Sequence, residues 1–221
     1  MNEVYNIDCM EYMKTVPDKA FDLAIVDPPY GIKESGDKNH TRGKKAIAKD
    51  YPAFYGGDKD APDKSFFNEL FRVSKNQIIW GANHFISRFC KDASCWVVWD
   101  KENGESDFAD CELAWTSFKC AVRKYTFRWA GMLQGNMKDK EERIHPTQKP
   151  VALYKWLLSK FGEGGGTVLD THVGSGSIRI ACDEMGYDFI GCEIDKYYWE
   201  AQEKRYADWK KGAGSQLQFE F

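Results

Sequence analysis

Thr167-Val168-Leu169-Asp170-Thr171-His172-Val173-Gly174-Ser175-Gly176-Ser177 is the stretch that decides the fold of this 221-residue chain. Its first four residues read as a short buried strand, and the glycines that follow make a tight turn. A helix comes next, with Ile178, Ala181, Cys182 and Met185 on one face and Gly186 at its end. Tyr187-Asp188-Phe189-Ile190-Gly191-Cys192-Glu193 is then a second strand that closes on an acid. Strand, glycine turn, helix, strand and acid together form a βαβ unit of the nucleotide-binding α/β kind. Two versions of that unit are excluded. Counting GxGxxG from Gly174 puts Arg179 in the third glycine's place, and the chain has no GxxxxGK[ST]. With no pyrophosphate to cradle, and with Glu193 suited to the two hydroxyls of a ribose, the ligand that fits is S-adenosylmethionine (SAM).

A second constellation lies near the N-terminus. Phe21-Asp22-Leu23-Ala24-Ile25-Val26 reads as a buried strand, stopped by Asp27-Pro28-Pro29-Tyr30. Each proline fixes its own φ and pushes the preceding residue out of helical space, so the chain leaves the strand extended and rigid. One carboxylate, a backbone carbonyl and one aromatic ring are thereby presented at the strand's C-terminal end, where α/β sheets bind ligands. These groups suit the methylation of an exocyclic amine. Asp27 accepts one N–H and the Pro28 carbonyl the other, which frees the nitrogen lone pair, while Tyr30 offers a face for a planar base. The competing reading is a turn that only ends a strand.

Composition bounds the rest. At 43% hydrophobic the chain can bury one good core but not two. A net charge of −3 does not mark a nucleic-acid binder, so local charge must carry that role. The N-terminal residues lack the basic and apolar regions of a signal peptide, and no apolar run has membrane-spanning length, so a cytoplasmic, non-membrane protein is expected. Seven cysteines without a CxxC pair read as buried thiols, with no metal site.

Taken in order, Val4–Ile7 suggests a strand, and Asp8 either caps the helix that follows or points at a ligand. Residues 31 to 64 are polar and glycine-rich, the pattern of a long loop. Lys33, Arg42, Lys44, Lys45 and Lys49 within it are candidate phosphate contacts on double-stranded DNA, or a solvated surface. Residues 66 to 73 have helical spacing, and 77–80, 95–99, 112–116 and 125–129 read as strands, the last two as a hairpin at a sheet edge. Residues 131 to 144 are polar again, a second candidate DNA-contacting insertion. One domain over 1–211 is expected, with a flexible tail at 212–221. In Gln216-Leu217-Gln218-Phe219-Glu220-Phe221 the apolar residues alternate, so an extended peptide would present them on one side. That row suits an edge strand, a homodimer contact or a docking peptide.

Taken together, these motifs resemble the amino-methylating DNA methyltransferases in which the catalytic motif precedes the SAM-binding motif, the beta class, in a short phage-like form. The resemblance covers most of the chain. It implies a SAM-dependent α/β fold with a seven-stranded, mostly parallel sheet, an antiparallel hairpin strand and circularly permuted motif order. It assigns Asp27, Pro28, Pro29 and Tyr30 to catalysis. Asp8 and Cys9 would hold the cofactor adenine, and His145-Pro146-Thr147-Gln148-Lys149-Pro150 would open the cofactor half. Asp27, Asp170, His172, Gly174, Ser175, Gly176, Ser177 and Glu193 would line the rest of that site. The family usually has Pro-Phe where this chain has Thr171-His172. By the same resemblance, Asp at the first motif position favours adenine N6 over cytosine N4, with direct SN2 transfer to a flipped-out base. A non-catalytic SAM- or DNA-binding module is the alternative. The tail resembles the Gln-Leu-x-Leu-x-Phe peptides that dock on the bacterial sliding clamp, with Phe219 in place of the second leucine.

Overall fold

The structure is a computed structural model that describes residues 1–33, 51–52, 58–104, 109–130, 133–138 and 140–217, with side chains to 212. Arg42, Lys44, Lys45, Lys49 and residues 218–221 lie outside the described residues.

The N-terminal part holds β1 (Asn2–Tyr5), α1 (Cys9–Lys14), β2 (Phe21–Val26), α2 (Lys64–Val73) and β3 (Ser74–Trp80). β4 (Trp96–Asp100), β5 (Cys111–Thr116), β6 (Arg123–Thr126), β7 (Trp129–Ala130) and β8 (Leu133–Gln134) follow. The C-terminal part is α3 (Val151–Phe161), β9 (Thr167–Asp170), α4 (Ser177–Glu184), β10 (Asp188–Cys192) and α5 (Lys196–Leu217). Among the described residues, eight strands form one sheet in the order β1-β10-β9-β2-β3-β5-β4-β6. β7 and β8 pair separately.

β2 sits in the middle, parallel to β9 on one side and to β3 on the other. Its unbroken apolar run has a simple cause: both of its faces are covered. Leu23 and Ile25 pack with Leu153, Leu157, Ile178 and Ala181 of α3 and α4. Ala24 and Val26 pack on the other face with Met13, Phe67, Leu70 and Val73 of α1 and α2. α2 is amphipathic for that reason, and Asp63 starts it by accepting the Ser65 and Phe66 amides at 2.9 and 3.2 Å. Phe67 and Leu70 are fully buried, each a contribution of about 1.5–3 kcal/mol, so a charge at Leu70 would open this layer.

β5 runs antiparallel to both β3 and β4, while β6 is parallel to β4. The hairpin partner of β5 is therefore β4; residues 125–129 do not pair with it but divide between β6 and β7. The permuted, mostly parallel architecture is as expected, with one strand more than the expected seven. Its functional consequence is the direction of β5. The start of this one reversed strand lies at the same sheet edge as the ends of all the others.

The expected tail boundary does not hold. α5 continues through 212–215 to Leu217, so the Gly-Ala-Gly-Ser segment is helical and Leu217 ends a helix instead of beginning an extended row. Part of 131–144 is tied to the body of the protein, although most of its described residues are exposed. Gln134 is buried and exchanges two hydrogen bonds with the Glu141 backbone, and Arg143 lies over Trp129. No helix among the described residues is long and apolar enough to cross a membrane.

Candidate active site

The two constellations meet where β2 and β9 end side by side, with Ala24 opposite Leu169. Asp27 follows β2 and Asp170 ends β9, close enough that the Asp27 charge helps hold the Asp170 proton on.

Around Asp27 the chain builds a cluster of charges. The Lys149 ammonium donates to Asp27 Oδ2 at 2.5 Å and lies 3.0 Å from Glu112 Oε2. The Tyr30 hydroxyl donates to Asp27 Oδ1 at 2.8 Å, with Glu112 Oε2 at 3.4 Å. Lys101 closes the set by pairing with Glu112 Oε1. Two carboxylates thus face two ammonium groups with Lys149 only 4% exposed, which is what lets such charges be buried at all. Burial alone would raise Glu112, but Lys149 and Lys101 outweigh it and hold its carboxyl down to about 2. For Asp27 burial wins, and its pKa lies above the ordinary value despite Lys149. Burial works against the Lys149 charge too, yet its two acid partners keep it protonated.

Two neighbours hold the Tyr30 ring. It stacks on His84, with ring centroids 5.3 Å apart and planes at 18°, and it lies against Gly81. Gly81 has φ +67°, and a Cβ there would fall 2.1 Å from a Tyr30 ring carbon. Beyond the motif, the Asp58 carboxylate accepts the Gly31 and Ile32 amides at 2.7 and 3.0 Å. These bonds fasten Asp58 to the residues that follow Tyr30.

The β9 side uses backbone instead. Gly174 and Gly176 have φ of +53° and +72°, conformations that suit glycine. Glu193 Oε2 accepts the Gly174 amide at 2.8 Å and its Oε1 accepts the Asp195 amide at 2.9 Å. Each of these oxygens keeps a further lone pair for a ligand hydroxyl. Arg205 of α5 donates to the Ser175 carbonyl and the Ser177 hydroxyl, and it pairs with Glu141, whose other oxygen accepts the Val151 amide at the start of α3. Burial pushes Asp170 up to about 8, so its carboxyl is protonated below that pH; its Oδ1 still accepts the His172 amide at 2.9 Å. Burial pushes both His172 and His145 down to about 4, leaving neutral rings. His172 meets Phe66 edge-on, and His145 meets Tyr198. Gly174 faces the His145 ring.

Most residues singled out in the sequence gather on this edge. Asp8 caps α1, accepting the Met10 and Glu11 amides through one oxygen, and the neighbouring Cys9 thiol is pushed up to about 12 by burial. Thr147 is exposed with its hydroxyl near His145, and Pro150 stands just before α3. Lys149, grouped with the cofactor segment in the sequence, has its ammonium in the Asp27 cluster. Lys33 is exposed at the loop's start. Sequence reasoning missed Glu112, Lys101, Gly81 and Asp58. An acid entering the apolar run Leu113-Ala114-Trp115 was a readable signal for Glu112; nothing local distinguishes Asp58.

The residues present fit SAM: a glycine turn with Gly174 and Gly176 in left-handed conformations, and Glu193 with acceptor capacity to spare. Comparison with known proteins agrees. The profile of a family described as DNA methylase, N6_N4_Mtase, matches residues 76–204. The Type II methyltransferase M.HinfI of Haemophilus influenzae is 27% identical over 93% of this chain and 68% of its own length. The fold is shared with the M1.HpyAVI–SAM complex, at TM-score 0.58 and 24% identity, covering 93% of this chain and all of that one. It is shared too with the cytosine-N4-specific PvuII DNA methyltransferase, at TM-score 0.60 and 12% identity, covering 93% of this chain and 86% of that one.

Proposed function

The chain belongs to the N6_N4_Mtase family of DNA methylases, and from that premise we propose that it methylates adenine N6 in double-stranded DNA, using SAM. The observation that carries this reading is the position of the Asp27–Tyr30 cluster at the end of β2, beside the Gly174–Glu193 turn reached from β9. When bound, SAM supplies an electrophilic methyl group. Glu193 would hold its ribose, Asp8 and Cys9 its adenine side, and residues 170–177 the remainder.

The chain's own residues do the following. Asp27 accepts one hydrogen of the target amine and the Pro28 carbonyl the other, which draws the nitrogen lone pair out of conjugation. As charge grows on that nitrogen, the fixed Asp27 carboxylate opposes it without reorganisation. Tyr30, held by its stack on His84 and its contact with Gly81, would give the flipped base a flat wall on its remaining face. No protein nucleophile is required. Asp at the first motif position supports adenine over cytosine. Lys33 and the basic residues between it and Lys49 would neutralise phosphates. The tail would serve a homodimer or a sliding clamp; a truncation before residue 216 tested for dimer and clamp binding separates these.

The deciding experiment is nucleoside analysis of DNA treated with the enzyme and labelled SAM. Label in N6-methyladenine is the expected result, and label in N4-methylcytosine would change the substrate. Asp27→Ala should lower transfer by at least about 10²–10³-fold, with SAM affinity within a few-fold. Near-normal transfer by that variant would end the assignment.

A further inference from the structure

Both oxygens of Asp27 are already engaged, Oδ2 by the Lys149 ammonium and Oδ1 by the Tyr30 hydroxyl. An incoming amine must therefore share each oxygen of that carboxylate with a donor already in place, one of them a cation that weakens it as an acceptor. Each of those donors has the same second acceptor at hand: Glu112 Oε2 lies 3.0 Å from the ammonium and 3.4 Å from the hydroxyl. Resting on the reading of Asp27 as the amine acceptor, we propose that Glu112 is a positioning residue that takes the Lys149 ammonium and the Tyr30 hydroxyl off Asp27 as the target base enters.

The geometry supplies each requirement. Glu112 reaches this edge because β5 alone is reversed, which puts its second residue beside the ends of β3 and β4. Its other oxygen is bound to Lys101, so the acceptor is fixed in place and stays ionised. A shift of the ammonium and the hydroxyl away from Asp27 and toward Glu112 converts one donor arrangement into the other, with no covalent bond made or broken. Charge is conserved as well. Lys149 moves toward Glu112 as the neutral amine enters; on methyl transfer the amine nitrogen becomes cationic beside Asp27, and it then loses its proton to Asp27 or to water. Without the second carboxylate, the ammonium would remain on Asp27 and weaken it as an acceptor at the moment it is needed.

The test compares single-turnover methyl transfer for Glu112→Gln, Glu112→Asp, Glu112→Gln combined with Lys149→Met, and Asp27→Ala, alongside SAM affinity and melting temperature. Glu112→Gln should slow transfer about tenfold or more with SAM affinity little changed and a lowered melting temperature, because Lys149 and Lys101 lose a partner, and Glu112→Asp should recover part of both losses. The double variant should be faster than Glu112→Gln alone, because no ammonium is left to occupy Asp27. A structural role alone would restore the melting temperature in the double variant and leave its rate per folded enzyme no higher than that of Glu112→Gln. A wild-type rate for Glu112→Gln, or a double variant no faster than the single, overturns the proposal. If Asp27→Ala is inactive in that case, the catalytic reading stands without it. If Asp27→Ala retains full activity, both fall.

Discussion

On the β9 side of β2, the ligand-facing structure is largely backbone. Two glycines in left-handed conformations form the turn, and Glu193 is bonded to amides within one continuous βαβ segment. On the β3 side it is side-chain charge drawn from four separated segments: Asp27 and Tyr30, Lys101, Glu112, and Lys149. The difference is one of tolerance. A backbone mould depends on φ angles, and it fails when a Cβ is added. A charge cluster depends on balance, and it fails when one member is removed and its partners are left buried.

Gly81→Ala should break the comparison most sharply, since it damages the charge side through backbone alone. Its Cβ would overlap three atoms of the Tyr30 ring. We expect methyl transfer to fall on the order of 10²-fold, as misplacement in a site can cost, with SAM affinity within a few-fold by calorimetry. Gly174→Ala is the counterpart on the other side. Its φ of +53° costs a side chain roughly 1–2 kcal/mol, so SAM should bind about tenfold more weakly while the rate at saturating SAM stays closer to normal.

Asp170→Asn tests whether the cofactor side carries a charge cost of its own. A carboxyl held near 8 when folded ionises more readily in the unfolded chain, so it favours folding least at high pH. Its contribution is fully present below the unfolded value of about 4 and is lost as pH rises toward 8. Asparagine keeps an oxygen for the His172 amide and removes the titration. The ligand-free variant should therefore gain stability over the parent as pH rises from about 4 to 8, reaching about 1–2 kcal/mol or roughly 3–6 °C in Tm. A gain that does not grow with pH would show that Asp170 is not buried protonated. The smallest effect is expected from Lys44→Ala with Lys45→Ala, which should weaken DNA binding a few-fold and flatten its salt slope by about 0.9 per lost phosphate contact. An unchanged slope would make these residues solvated surface.

The same contrast explains what could be read in advance. The cofactor turn was legible because its parts are contiguous, and the Asp27–Tyr30 segment because two prolines after an apolar run have few other uses. The partners of Asp27 were not, since Glu112 and Lys149 come together only through the sheet order. The mistaken hairpin has a related cause: strand propensity at 125–129 says nothing about which neighbour a strand finds, and β6 found β4 in parallel. The helical end of α5 is a case where continuation of a 22-residue helix outweighed two glycines, each worth about 1 kcal/mol.

Among the described residues β1 pairs with β10 and with no other strand, residue 2 opposite residue 189. It closes a loop of nearly the whole chain for four residues of ladder, a high entropic cost for little early return. On the ribosome, β1 has no partner until β10 has emerged. The central strands β2 and β3 and helix α2, which lie close in sequence, can assemble long before. The cofactor side of the sheet is thus the last to close, and in refolding the β1 amides should gain exchange protection later than those of β2 and β3.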